Sequence, residues 1–110
     1  MAKYVNDQEL EERILEADTP VAIAFLAYDS IPARHFEPEY DSVADEFRTR
    51  MEFHKINVEE NPTITEDLGV DAVPTMLIFR DSDEIARYEG PYSSEALMER
   101  IGTLFKEKKL

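Results

Sequence analysis

Not one cysteine occurs among the 110 residues. That absence excludes a disulfide scaffold, a thiolate metal site and a thiol nucleophile together. Cations are scarce as well: 12 Lys and Arg stand against 25 Asp and Glu, a formal net charge of -13. Binding to a polyphosphate backbone needs clustered cations, so no nucleic-acid partner is expected. The densest basic stretch, Lys106-Glu107-Lys108-Lys109, reads as the tail of a C-terminal helix, where cations offset the helix dipole. Apolar runs fall far below the roughly 20 residues of a membrane span. Met1-Ala2-Lys3-Tyr4 leads into an acidic stretch rather than an apolar signal region. A soluble cytoplasmic protein without membrane association is expected, monomeric by default. Glycine is rare too, and Gly69, Gly90 and Gly102 stand apart, so there is no glycine-rich phosphate loop. Internal repeats, low-complexity tracts and Gly/Ser linkers are all missing.

What is present predicts one domain over residues 1–110, with every motif sharing one core. The apolar fraction of 43% and the Val, Ile, Leu and Phe runs argue against disorder. Asn6, with Glu9 three residues on, predicts a capped helix whose buried side is Leu10, Ile14 and Leu15, ending near Ala17. Residues 21–27 form a continuous apolar run between turn residues, as a central strand covered on both faces requires. Phe36, Tyr40, Val43, Ala44 and Phe47 recur at helical spacing, predicting a long helix with a kink at Pro38. Residues 51–58 predict a strand, and Asn61-Pro62-Thr63 opens a short helix ending near Gly69. Residues 76–80 and 84–88 flank the turn Asp81-Ser82-Asp83 as a hairpin. Ser93 caps a last helix with Leu97, Ile101, Leu104 and Phe105 inside, and residues 3–5 are a candidate edge strand. The fold class is therefore α/β, a central mixed sheet flanked by helices on both faces.

That order, with the residues at its joints, resembles the thioredoxin family over nearly the whole chain. The resemblance is carried by Phe25 to Ala33 running on to Pro38, by Lys55-Ile56-Asn57-Val58-Glu59-Glu60-Asn61-Pro62, by Val73-Pro74-Thr75, by the hairpin from Phe79 to Glu84, and by Gly90. It implies a thioredoxin fold, a cis peptide bond at Pro74 and protein-disulfide reductase activity. The family's two redox cysteines fall on Ser30 and Ala33, so its Cys-Gly-Pro-Cys loop is Ser30-Ile31-Pro32-Ala33 here. The flanking tryptophans fall on Leu26 and Asp29, and the buried aspartate of the proton relay falls on Ala24.

Thiol–disulfide exchange needs a sulfur nucleophile ionised near neutral pH. A helix dipole shifts an ionisation by only about 1 kcal/mol, far less than a serine alcohol requires, so Ser30 is read as a helix cap rather than a nucleophile. His35 with Glu39 at i+4 offers two metal ligands without a third and is read as a solvated pair. His54, on a strand among apolar neighbours, is read as structural. No metal or cofactor is expected.

The resemblance implies that the backbone before Pro74, at Val73, pairs with an extended chain. A binding surface would then comprise Tyr28, Asp29, Ser30, Ile31 and Pro32 facing Ala72, Val73 and Pro74, with Gly90 alongside. Three readings stand at this point. The first is a redox-inactive thioredoxin-like protein that binds a protein or peptide partner in this groove. The second is a Ser/Ala variant of a thiol–disulfide oxidoreductase of redox homeostasis, against which the changes at Ala24, Leu26 and Asp29 weigh. The third is an assembly domain acting through the acidic side of its first helix, Asp7-Gln8-Glu9 and Glu11-Glu12.

Overall fold

The structure is a computed structural model that describes residues 2–110. In chain order it comprises β1 (Lys3–Tyr4), α1 (Asp7–Glu16), β2 (Val21–Leu26), α2 (Ile31–Phe47), β3 (Glu52–Asn57), α3 (Pro62–Asp67), β4 (Thr75–Arg80), β5 (Asp83–Glu89) and α4 (Ser94–Lys106). The strands form one sheet in the order β1-β3-β2-β4-β5. β1, β3 and β2 run parallel, while β4 and β5 run antiparallel to their neighbours.

Strand alternation divides the core between the two faces of the sheet. Ala22, Ala24 and Leu26 of β2, with Met76 and Ile78 of β4, meet Phe36, Tyr40 and Val43 of α2 and Leu97 and Ile101 of α4. Val21, Ile23 and Phe25, with Leu77 and Phe79, meet Leu10 of α1 and Ile64 of α3. β2 is buried along its whole length because both of its faces are covered. Each fully buried Val, Leu, Ile, Phe or Met side chain contributes about 1.5–3 kcal/mol.

The helix starts follow from local chemistry. Asn6 Oδ1 accepts from the Glu9 amide at 2.9 Å, and Glu9 Oε1 accepts from the Asn6 amide at 3.0 Å, a complete capping box. Ser93 Oγ accepts from the Ala96 amide at 3.1 Å. α2 runs unbroken through Pro38.

Two sequence expectations change. Leu15 is exposed rather than buried. It lies five residues after Leu10, about 140° round the helix, so Leu10 and Ile14 keep the inner stripe. The hairpin turn is the pair Asp81 and Ser82, with φ of 52° and 71°, and Asp83 already belongs to β5. Positive φ at both central residues matches the right-handed twist of the flanking strands. A bulge between Ile78 and Phe79 then shifts the register.

Candidate functional site

The C-terminal end of β2 gathers three segments. The first follows β2 directly. After Ala27 the chain turns at Tyr28 and Asp29, with the Ser30 amide donating to the Ala27 carbonyl at 3.2 Å, and enters α2. Ser30 is the N-cap: its Oγ accepts from the Ala33 amide at 3.2 Å, and its carbonyl from the Arg34 amide at 2.9 Å. Its hydroxyl oxygen is thus engaged in capping, and no side-chain base bonds to it among the described residues. Ala33 is buried in the core between α2 and the sheet.

The second segment precedes β4. Phe25 pairs with Thr75 across the antiparallel ladder, which sets Pro74 beside the end of β2. The Val73–Pro74 peptide is cis. Thr75 Oγ1 donates to the Ala72 carbonyl at 2.8 Å, and the Gly90 amide donates to the Pro74 carbonyl at 2.8 Å. Gly90 has φ of 104°, a backbone conformation that favours glycine, and so draws the end of β5 onto this loop. The Phe25–Thr75 pairing and the Gly90–Pro74 hydrogen bond thus set residues 74 and 90 at the end of β2, from which the chain runs on into residues 28–32. Tyr28 and Ile31 are 57% and 64% exposed, and Val73 is half-buried.

The third segment went unforeseen. The Val58 amide donates to the Leu26 carbonyl at 2.9 Å, carrying the turn after β3 alongside Tyr28. Asn57 Oδ1 accepts from the amides of Glu59 and Glu60, at 3.0 and 3.1 Å, and fixes that turn. Tyr28, Asp29, Asn57, Glu59 and Glu60 line a cavity of about 320 Å³. The Tyr28 hydroxyl donates to Glu60 Oε1 at 3.2 Å, and the Tyr28 ring meets Tyr4 edge-on at 5.5 Å between centroids. Partial desolvation and the charge of Glu60 raise the Tyr28 phenol above its ordinary pKa. The Asp29 carboxyl, through a hydrogen bond and like charge, raises the Glu59 carboxyl. The signal in the sequence was the acidic turn Glu59-Glu60 directly after a strand parallel to β2.

Beneath the loop, Ala24 is fully buried and stands in register with Lys55 on β3. The Lys55 side chain is only 3% exposed, and its Nζ lies 2.8 Å from Glu37 Oε2 and 2.9 Å from Asp41 Oδ1, both on α2. Burial pulls the Lys55 pKa down, but hydrogen bonds to Glu37 and Asp41 and their negative charges outweigh it and leave the pKa raised.

Neither histidine belongs to the site. His35 is exposed, and its expected pairing with Glu39 is not formed. Glu39 Oε1 instead accepts from the Ser94 amide at 2.9 Å, because the N-terminus of α4 offers an orphan donor. His54 Nε2 lies 2.9 Å from Glu52 Oε1, which also binds Arg13. No group of three His, Asp or Glu residues among those described converges as a metal site.

Comparison with known proteins agrees with this architecture. The family model described as Thioredoxin matches residues 1–103. Thioredoxin of Rickettsia bellii is 29% identical over 101 residues, covering 92% of this chain and 96% of that protein. Thioredoxin of Rhodospirillum rubrum is 33% identical over 99 residues, covering 90% and 95%. Among solved structures, chloroplastic thioredoxin z superposes with a TM-score of 0.86 at 27% identity, over 96% of this chain and 95% of that one. Fasciola hepatica thioredoxin gives 0.82 at 27% identity, over 94% and 98%. With the mixed five-stranded sheet, the capped loop after β2 and the Val73–Pro74 turn already in place, these matches establish that the chain belongs to the thioredoxin family and has its fold, without a cysteine.

Proposed function

We propose that this chain is a redox-inactive, cytoplasmic member of its family that binds a protein or peptide partner through the groove formed by Tyr28, Asp29, Ser30, Ile31 and Pro32 facing Val73, Pro74 and Gly90. The observation that carries the reading is the exposure of Tyr28 and Ile31. Two large apolar side chains stand in solvent on the loop above a strand start. Four large hydrophobic residues are exposed among those described, and two of them lie here. Recognition by strand-like pairing to the backbone at Val73, with apolar contacts to Ile31 and Tyr28, needs no sulfur. Dithiol exchange does, and Ser30 and Ala33 supply none.

The test is partner retention by the native chain and by Ile31→Asp, using extract from the source organism. Ile31 is exposed, so the substitution leaves the core intact. Partners held by the native chain and lost by Ile31→Asp are the expected result. An unchanged set would move function to another face, the acidic side of α1 being the first to examine.

A further inference from the structure

Leu15 stands apart from the other exposed apolar side chains. Tyr4 meets Tyr28, and Ile31 lies on the same loop as Tyr28, but Leu15 is 63% exposed on α1. It lines a cavity of about 290 Å³ between α1 and α3. Ile64 and Phe79, both buried, form the floor of this cavity, with half-buried Ile14 and Leu68 beside them. Two hydrogen bonds hold its walls. The Asp7 amide donates to Asn61 Oδ1 at 3.0 Å and ties the start of α1 to the residue before α3. The Ser82 hydroxyl donates to the Ile14 carbonyl at 3.4 Å and sets the hairpin turn against the later part of α1.

The apolar lining is bordered by Asp7, Glu11 and Asp67. Among the described residues no Lys or Arg pairs with any of the three. Arg13, the one cation on α1, binds Glu52 instead. An occupant that complements this border brings cations, and one that covers Leu15 brings apolar side chains. A second copy of this chain brings the same acids and a net charge of -13, so self-pairing is opposed. The shape narrows the choice further. Asp7, Glu11, Ile14 and Leu15 fall at i, i+4, i+7 and i+8, one stripe of α1 about 12 Å long. On α3 and its cap, Ile64 and Leu68 are one turn apart. Two helical stripes side by side accept the ridge of a third helix.

We propose that this groove docks an amphipathic basic helix of a partner protein, its leucine or isoleucine stripe against Ile14, Leu15 and Leu68 and its lysines or arginines against Asp7, Glu11 and Asp67. The acids steer the basic helix inward, and the apolar contact retains it. This surface shares no residue with the groove at Tyr28, Ile31 and Val73, and neither inference depends on the other.

The experiment uses three peptides. The first is acetyl-Ala-Lys-Leu-Lys-Ala-Leu-Leu-Lys-Ala-Leu-Lys-Ala-amide, whose leucines share one helical face with lysines flanking it. The second contains the same residues reordered so that the leucines spread around the helix, and the third has glutamate at every lysine. Each is titrated at low salt into the nitrogen-15-labelled chain, into Leu15→Ser and into Glu11→Gln/Asp67→Asn. All three substituted residues are exposed, and an unchanged thermal midpoint verifies the fold. The expected result is movement of the amides at 11, 14, 15, 67 and 68. The first peptide should bind about tenfold or more tighter than the reordered one, the scale of burying one leucine, and Leu15→Ser should erase that preference. Glu11→Gln/Asp67→Asn should weaken the first peptide about threefold or more, the scale of two exposed ion pairs, and the glutamate peptide should not bind. Equal binding of the first two peptides overturns the proposal, since it shows charge attraction without docking. Absence of binding by the first peptide also overturns it, as do shifts confined to residues outside this groove. A dimer of the native chain that sedimentation detects and Leu15→Ser abolishes names a second copy as the occupant and overturns it as well. None of these outcomes bears on the retention test with Ile31→Asp.

Discussion

Replacing Lys55 by Met tests the one buried charged side chain among the described residues. The Lys55 side chain is 3% exposed, and its ammonium is held by Glu37 and Asp41, whose side chains are 33% and 21% exposed. Methionine keeps most of the stem volume and removes the charge. Removing one partner of a fully buried pair costs about 3–5 kcal/mol. Here the orphaned carboxylates can turn to water, and the lysine no longer pays desolvation, so about 2 kcal/mol is expected. At about 2.1 cal/mol/K per residue, 110 residues unfold with about 0.23 kcal/mol/K, and about 2 kcal/mol lowers the thermal midpoint by about 9 °C. The assay is thermal and urea unfolding of Lys55→Met in the native background and in Glu37→Gln/Asp41→Asn. If charge pairing is the cause, the cost falls to about 0.5 kcal/mol in the second background. Equal costs in both would refute the reasoning and assign the loss to packing around the stem. The sign with pH is fixed by the raised lysine pKa. Stability from the pair is fully present below the ordinary lysine value of about 10.4 and is lost as pH rises through the folded one.

Arg13→Gln should remove about 1 kcal/mol near pH 6, the scale of a partly exposed ion pair. The hydrogen bond from Arg13 holds the Glu52 pKa down, so this contribution exists above the ordinary glutamate range and vanishes as pH falls through the lowered value. Urea midpoints at pH 6 and pH 3 check it, and a pH-independent difference would count against the pair. Ser30→Cys/Ala33→Cys should place a thiol at the α2 N-terminus with a pKa below the free value of about 8.5, read by alkylation rate against pH. The same variant should accelerate disulfide reduction by dithiothreitol. Gly90→Ala should cost about 1–3 kcal/mol from backbone conformation alone. Its φ is 104° and no atom lies within 4 Å of the added Cβ, so a loss near zero in urea unfolding would show that the backbone relaxes there.

Elements specified by neighbouring residues were legible in the sequence, and arrangements made by distant segments were not. The capping pair Asn6 and Glu9 and the cap at Ser93 act within one helical turn, and the structure keeps both. The run at Val21–Leu26 announced a strand buried on both faces because its composition has no polar side to expose. Leu15 is apolar yet exposed, because helical angle and not hydrophobicity alone decides which side chains of α1 meet the sheet. The polar run at 81–83 marked the hairpin, but Asp81 and Ser82 adopt positive φ without glycine, so its two-residue length carried no signal. For the site, the 28–32 loop and the 72–74 turn were legible from their order and spacing. The turn at 57–60 was not, because it reaches Tyr28 only through the parallel pairing of β2 with β3. Glu39 likewise turned from its helical neighbour His35 to an amide 55 residues away.

The loss of dithiol chemistry is spread over several positions, each with its own structural settlement. Ser30 spends its hydroxyl oxygen on the Ala33 amide, and the Ala33 methyl packs in the core. At the buried position that the family resemblance assigns to a proton-relay aspartate, Ala24 leaves no carboxyl, and the lysine in register with it takes both of its carboxylates from α2. None of these groups is left poised for reaction. What remains exposed lies on the rim of the same loop: the Tyr28 ring and the Ile31 side chain, beside the acids Asp29 and Glu59, whose hydrogen bond and like charge raise the Glu59 pKa. Tyr28 and Ile31 keep apolar surface in solvent at the end of β2, near the Val73–Pro74 turn, which is where the groove partner proposed above would dock.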